Sequence, residues 1–134
     1  MTKDELRKKA IEAMQNAYTP YSHFNVGCSL LMKDGEVVSG ANIENASYGL
    51  TNCAERSALF AAYSKGYRKE DIVTMVVVGD TEDVISPCGA CRQVISELVS
   101  DDTEIIRTNL KDDRVVVTKN QLLPFSFSSK DMEK

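Results

Sequence analysis

Cys88 and Cys91 stand in the segment SPCGACRQV with two residues between them. That spacing lets two thiolates reach one metal ion, and on a helix positions i and i+3 share a face. The pair is half of a zinc site. A third thiol is available at Cys53 in TNCAERSALF, followed by Glu55 and Arg56. Zinc held by three protein ligands keeps its fourth position for water, the mark of a catalytic rather than a closed structural site. A carboxylate as close to Cys53 as Glu55 can reach that water as a general acid and base. Alone, it would read as an acid favouring the first turn of a helix; the distant cysteine pair turns the reading toward catalysis.

Arg56 has two readings. Three thiolates on a divalent ion leave a net charge of about -1, which weakens the metal's hold on the pKa of its water. A guanidinium bonded to thiolate sulfur withdraws that charge; the alternative is a solvated helix arginine. Arg92 has the same two readings, with solvation preferred. Cys28 could close a four-cysteine structural site, but alternation along FNVGCSL places it on the apolar side of a strand, where a free cysteine is a small core residue. His23, the only histidine, falls in a polar turn and is expected to be exposed.

These residues need elements to carry them. Thr2 and Glu5 fit a capping box, and Leu6, Ala10, Met14 and Ala17 recur at helical spacing. Pro20 ends that helix, and Phe24, Val26, Cys28 and Leu30 then alternate as in a half-buried strand. Asp34-Gly35 turns into a second strand over about 37–42. Thr51 or Asn52 can cap a helix over 53–65 with Gly66 as its stop. The run DIVTMVVVGD suits a central strand covered on both faces. Ser86-Pro87 reads as the cap and first turn of a helix reaching about Val99. TEIIRTN and DRVVVT are strands joined by LKDD, and Pro124 interrupts a short last helix. The order implies an α/β layered domain, helices on both faces of a mixed sheet, with both cysteine-bearing helices starting at one sheet crevice.

A chain of 134 residues with 43% hydrophobic residues suits one domain, 1–134. Its net charge of -4 and pI of about 5.0 exclude a phosphate-backbone binder, so no nucleic acid partner is expected. No apolar run approaches the roughly 18 residues of a membrane span. We expect a cytoplasmic protein, and in that reducing compartment four cysteines are thiols or metal ligands.

CAE followed by PCGACRQ resembles the signature of the zinc nucleobase deaminases in its three-cysteine form. AYTPYSHFNVG, GANIENASYG, NCAERSALF, SPCGACRQVISEL and LLP, in that order, are similar to the small homotetrameric all-cysteine cytidine deaminases of the cytidine/deoxycytidylate deaminase superfamily, over essentially the whole chain. The resemblance implies a three-layer α/β/α sandwich with a mixed five-stranded sheet. It implies one zinc ion per chain on Cys53, Cys88 and Cys91, with Glu55 shuttling protons as an activated water attacks C4 of the pyrimidine. The substrates would be cytidine and 2'-deoxycytidine, in pyrimidine salvage. Asn42 and Glu44 would meet the ribose hydroxyls and Phe24 would pack on the nucleoside, while the backbones of Ala54 and Ser86 face the base. Tyr48 and Phe127 would act across subunit interfaces of a homotetramer; Phe127 fits the family spacing after LLP better than Phe125 does. A blasticidin S deaminase is the nearest rival, against which the Asn42 and Glu44 pair argues. Nucleotides are disfavoured, since the loop offers an acid where a phosphate needs a basic cradle.

Overall fold

The Thr2 hydroxyl accepts a hydrogen bond from the Glu5 N–H at 3.1 Å while the Glu5 carboxylate accepts the Thr2 N–H, so the capping box starts helix α1, Lys3–Met14. The computed structural model describes residues 1–132. Ala17, placed in this helix by its spacing, lies beyond its end. Strand β1, Val26–Met32, follows, and Gly35, with φ of 90°, makes the turn into β2, Val37–Ala41. Helix α2 is Ala54–Ser64, stopped by Gly66 at φ 99°. Then come β3, Ile72–Gly79, α3, Gly89–Leu98, β4, Glu104–Asn109, β5, Arg114–Val117, and the short α4, Lys119–Leu122.

The five strands form one mixed sheet in the order β2-β1-β3-β4-β5. Only β3 and β4 pair in parallel; the other neighbours are antiparallel. Leu6, Ala10 and Met14 of α1 pack with Val76, Val78 and Ile106 on one face. On the other, Ala58, Leu59 and Ala62 of α2 and Ile95 of α3 meet Cys28, Leu30, Met75, Val77 and Ile105. The result is the expected α/β/α layering. It corrects the half-buried reading of β1, where six of seven residues are buried. Helices cover both of its faces, and the polar Ser29 on the α1 side donates to the Leu6 carbonyl at 2.7 Å.

At one end of this sheet lie the C-terminal ends of β2, β3 and β4 and the start of β1, since Val26 pairs with Gly79 and Gly27 with Ala41. There α2 rides close over β2. A Cβ at Gly40 would collide with Ala58 N and stand 2.9 Å from Ala54 O, both backbone atoms of the helix that carries Cys53 and Glu55. Gly40→Ala should therefore push α2 off the sheet and cost about 1–3 kcal/mol. Urea unfolding of the variant, with its zinc content, checks this; an unchanged midpoint with full zinc would show that the close approach is not limiting.

Candidate active site

Cys53 is the N-cap of α2 and Cys88 the N-cap of α3, with Cys91 in the first turn of α3. Neither cap is the one the sequence suggested. Thr51 and Asn52 precede the α2 cap, and Asn52 instead donates to the Ser57 hydroxyl at 3.1 Å. Ser86 does not cap α3; its hydroxyl accepts from Arg107 Nη2 at 2.6 Å. The helix starts two residues later, with the Cys91 N–H donating to Cys88 Sγ at 3.5 Å.

The three Sγ atoms of Cys53, Cys88 and Cys91 lie within 4.8 Å of one another, and those of Cys53 and Cys88 are 3.7 Å apart. Tetrahedral zinc with Zn–S bonds of about 2.3 Å places its sulfurs about 3.8 Å apart, so the donor set fits the ion in number, chemistry and spacing. Cys28 is fully buried in the core and outside this cluster. His23 is exposed, as expected.

Two helix N-termini direct partial positive charge at the sulfurs, and Arg56 adds a whole one. Its Nη2 donates to Cys53 Sγ at 3.3 Å, which decides against the solvated reading. Its Nε is buried without a hydrogen-bond partner, a donor left over beside the thiol cluster. Among the thiols themselves, a hydrogen bond from Cys91, with further donation from Arg56 and Cys88, holds Cys53 down at about 5. Cys91 keeps its proton through that same bond and through burial. Glu55 is 4% exposed. Burial, with the Cys53 charge added, pushes its carboxyl up to about 7.

Phe24, Val26, Asn42, Cys53, Ala54, Glu55, Ile85, Ser86 and Cys88 line a cavity of about 230 Å³. Larger clefts elsewhere, such as one of about 410 Å³ beside α4, hold no metal donor set among the described residues. The structure thus brings Phe24, Asn42, Ala54 and Ser86 to the metal cluster. Asn42 is half committed: its Oδ1 accepts the Val26 N–H at 2.9 Å and its Nδ2 donates to the Phe24 carbonyl at 2.7 Å. One N–H and one lone pair remain. Glu44 sits in a separate cleft with Tyr21, Ser22, Tyr48 and Thr51. The Ser22 hydroxyl and the backbone N–H groups of Ser22 and Tyr21 hold its carboxyl below the usual range. Tyr48 meets Tyr21 edge-on and is 75% exposed; Phe127, 61% exposed, borders the cleft beside α4. Neither reaches the cavity of its own chain.

Sequence reasoning missed the cavity's apolar wall at Ile85 and the two arginines behind it. Arg92, read as solvated, donates to Pro87 O at 2.9 Å and Leu122 O at 2.8 Å. Arg107 donates to Ile85 O and Ser86 Oγ. A charged residue amid the apolar pattern of EIIRTN was the available signal for it.

A three-thiolate centre served by a buried acid and opening on a small cavity is that of a zinc-dependent hydrolase. Residues 1–106 match the cytidine and deoxycytidylate deaminase zinc-binding region. A cytidine deaminase of Halalkalibacterium halodurans is 56% identical over 132 residues, covering 98% of each chain. One from Sporosarcina psychrophila is 46% identical over 132 residues, 98% of this chain and 96% of that one. The crystal structure of cytidine deaminase from Burkholderia pseudomallei superposes with a TM-score of 0.92 at 49% identity, over 95% of this chain and 100% of that one. The chain belongs to the cytidine and deoxycytidylate deaminase family, and Cys53, Cys88 and Cys91 bind its zinc.

Glu55 makes stability depend on pH. Its carboxyl holds a proton more tightly folded, at about 7, than at the ordinary 4.5. The stability this contributes is complete below 4.5 and lost as pH rises through 7, by up to about 3 kcal/mol. Glu55→Gln has no such loss. After chelation, its stability advantage over wild type should grow from pH 4.5 to 7.5; parallel pH–stability curves would rule the buried acid out as the source.

Proposed function

We propose that this chain catalyses hydrolytic deamination of cytidine and 2'-deoxycytidine, giving uridine or 2'-deoxyuridine and ammonia. One observation carries the reading: a buried glutamate with neutral-range proton affinity stands beside three zinc-binding thiols, in a cavity sized for one heterocycle. Zinc, when bound, supplies the Lewis acidity that makes a water nucleophilic near neutral pH.

The chain's residues do the rest. At about 7, the Glu55 carboxyl is poised both to give and to take a proton at working pH. It accepts a proton from water and delivers it to N3 of the pyrimidine as oxygen bonds to C4, then takes the proton of the new C4 hydroxyl and passes it to the amine as the C4–N bond breaks. One water enters and one ammonia leaves, with no redox change. Arg56, bonded to Cys53 Sγ, draws negative charge from the thiolates so that the water is more acidic.

Ala54 is the first residue of α2, so its N–H has no intrahelical partner and can donate to the base. The Ser86 backbone faces the same ring in this reading, and Phe24 packs against the nucleoside. The free N–H of Asn42 and the ionised Glu44 suit neutral hydroxyls of a ribose. The Glu44 carboxylate would repel a phosphate, which supports nucleosides over nucleotides, and the pair supports an unmodified sugar over blasticidin S.

Tyr48 and Phe127, exposed and outside their own cavity, act in this reading on a neighbouring subunit's site in a homotetramer. A cytoplasmic setting keeps the four free cysteines reduced and suits pyrimidine salvage. Sizing under assay conditions tests the assembly: a fully active monomer would contradict shared sites.

Glu55→Gln should retain one zinc per chain while cytidine turnover falls by about 10²- to 10⁴-fold. Ammonia release from cytidine, deoxycytidine, cytidine monophosphate and blasticidin S measures this. Wild-type turnover in the variant, or a preference for the last two substrates, would sink the reading.

A further inference from the structure

We infer that Arg107 is a positioning residue for the proposed deamination, on which this inference rests: from β4 it fixes the Ile85–Ser86 wall of the cavity against the base. Side chains alternate across a strand. Ile105 belongs to the core on the α2 and α3 side, so Arg107 shares that face, between Val77 of β3 and Val115 of β5 in register. Arg107 is half-buried, so the part of its guanidinium turned away from water needs acceptors. Among the described residues it forms no ion pair. Its partners lie in the loop between β3 and α3: Nε donates to Ile85 O at 3.0 Å and Nη2 to Ser86 Oγ at 2.6 Å.

Both residues line the cavity beside Glu55 and Cys88. The Ile85 side chain packs in the core, but little else holds Ser86 to the sheet. The Ile85 N–H reaches Thr108 O only at 3.4 Å, whereas hydrogen bonds from a cation are short and strong. Arg107 occupies the Ile85 carbonyl and the Ser86 hydroxyl, and the Ser86 carbonyl accepts no hydrogen bond among the described residues. The backbone acceptor beside the cavity is thereby left available to a ligand. On the other side of the same turn Arg92 holds Pro87 O, so the segment is tied at three successive residues. Loss of the Arg107 tie leaves Ser86 free to drift, which weakens binding of the base before it touches the proton chemistry at Glu55.

Steady-state kinetics on the zinc-loaded enzyme test this, with melting temperature and zinc content measured in parallel. Arg107→Met keeps the length and apolar stem. It should raise KM for cytidine about tenfold, the loss expected for a charge-assisted hydrogen bond, with kcat within about twofold and zinc and melting temperature unchanged. Arg107→Lys, able to reach one acceptor, should recover part of the loss. Ser86→Ala should also raise KM, and less than additively with Arg107→Met, because one contact is removed twice. Wild-type KM in Arg107→Met would overturn the inference, as would full additivity of the two changes. A fall in kcat tracking lost stability or zinc would overturn it too, leaving a scaffold role only. Absence of cytidine turnover in the wild-type enzyme would instead sink the proposed function, and this inference with it.

Discussion

Three cysteine sulfurs stand within 4.8 Å of one another; as zinc ligands all three must be thiolates, and the rest of the site is arranged to make that concentration of negative charge stable. Two helices begin at the cluster, so the unpaired N–H groups of both first turns face it. Among the described residues, Arg56 brings the only guanidinium bonded to a ligand sulfur. Zinc then meets sulfurs already held in place, and Cys91 gives up its proton as the ion binds. The sheet order is what lets this happen: α2 and α3 lie on one face, and the strand ends beneath them converge at one edge. Gly40 sets how closely α2 can approach, and hence where Cys53 stands relative to Cys88.

The same concentration of charge tunes Glu55. Its carboxyl is buried with the thiols because the backbone that places Cys53 at the helix cap places the residue two positions on inside the first turn. Burial acts most strongly on its proton affinity, and the thiolate charge acts in the same direction. Arg56 opposes both, though weakly. A group that gives and takes protons within one turnover needs an affinity near the working pH, so one geometric arrangement suits both metal binding and the acid–base role proposed for Glu55.

The metal ligands, the acid and the layer order were legible in the sequence because each rests on short-range spacing: a two-residue gap, a capping box, a run of apolar residues. Cys28 was legible as core for the same reason. Less local features were not. Cys88 caps α3, and Ser86, which looked like its cap, is engaged by a side chain from a strand that follows it by some twenty residues. Arg92 looked solvated because its acceptors, Pro87 O and Leu122 O, are backbone atoms brought together only by the fold. The double backbone engagement of Asn42 was equally invisible, since an asparagine at a strand end carries no mark of which atoms it will meet.

The two walls that would grip a base are secured by different physics. Ala54 belongs to a helix whose buried face of Ala58, Leu59 and Ala62 is packed on the sheet, so its N–H is as rigid as the core. Ser86 lies in a loop outside any helix or strand, and only discrete hydrogen bonds can make it comparably rigid. Bonds from neutral donors contribute about 1 kcal/mol each, those to charged groups more. Backbone atoms on a loop of this kind therefore call for cationic anchors, and the segment has two, on either side of the proline that starts the turn toward Cys88. Arginine suits this task better than lysine because its planar fork engages two acceptors at once. The apolar pattern of β4 is broken at one position for the sake of Ser86, the part of that wall that core packing at Ile85 leaves unheld.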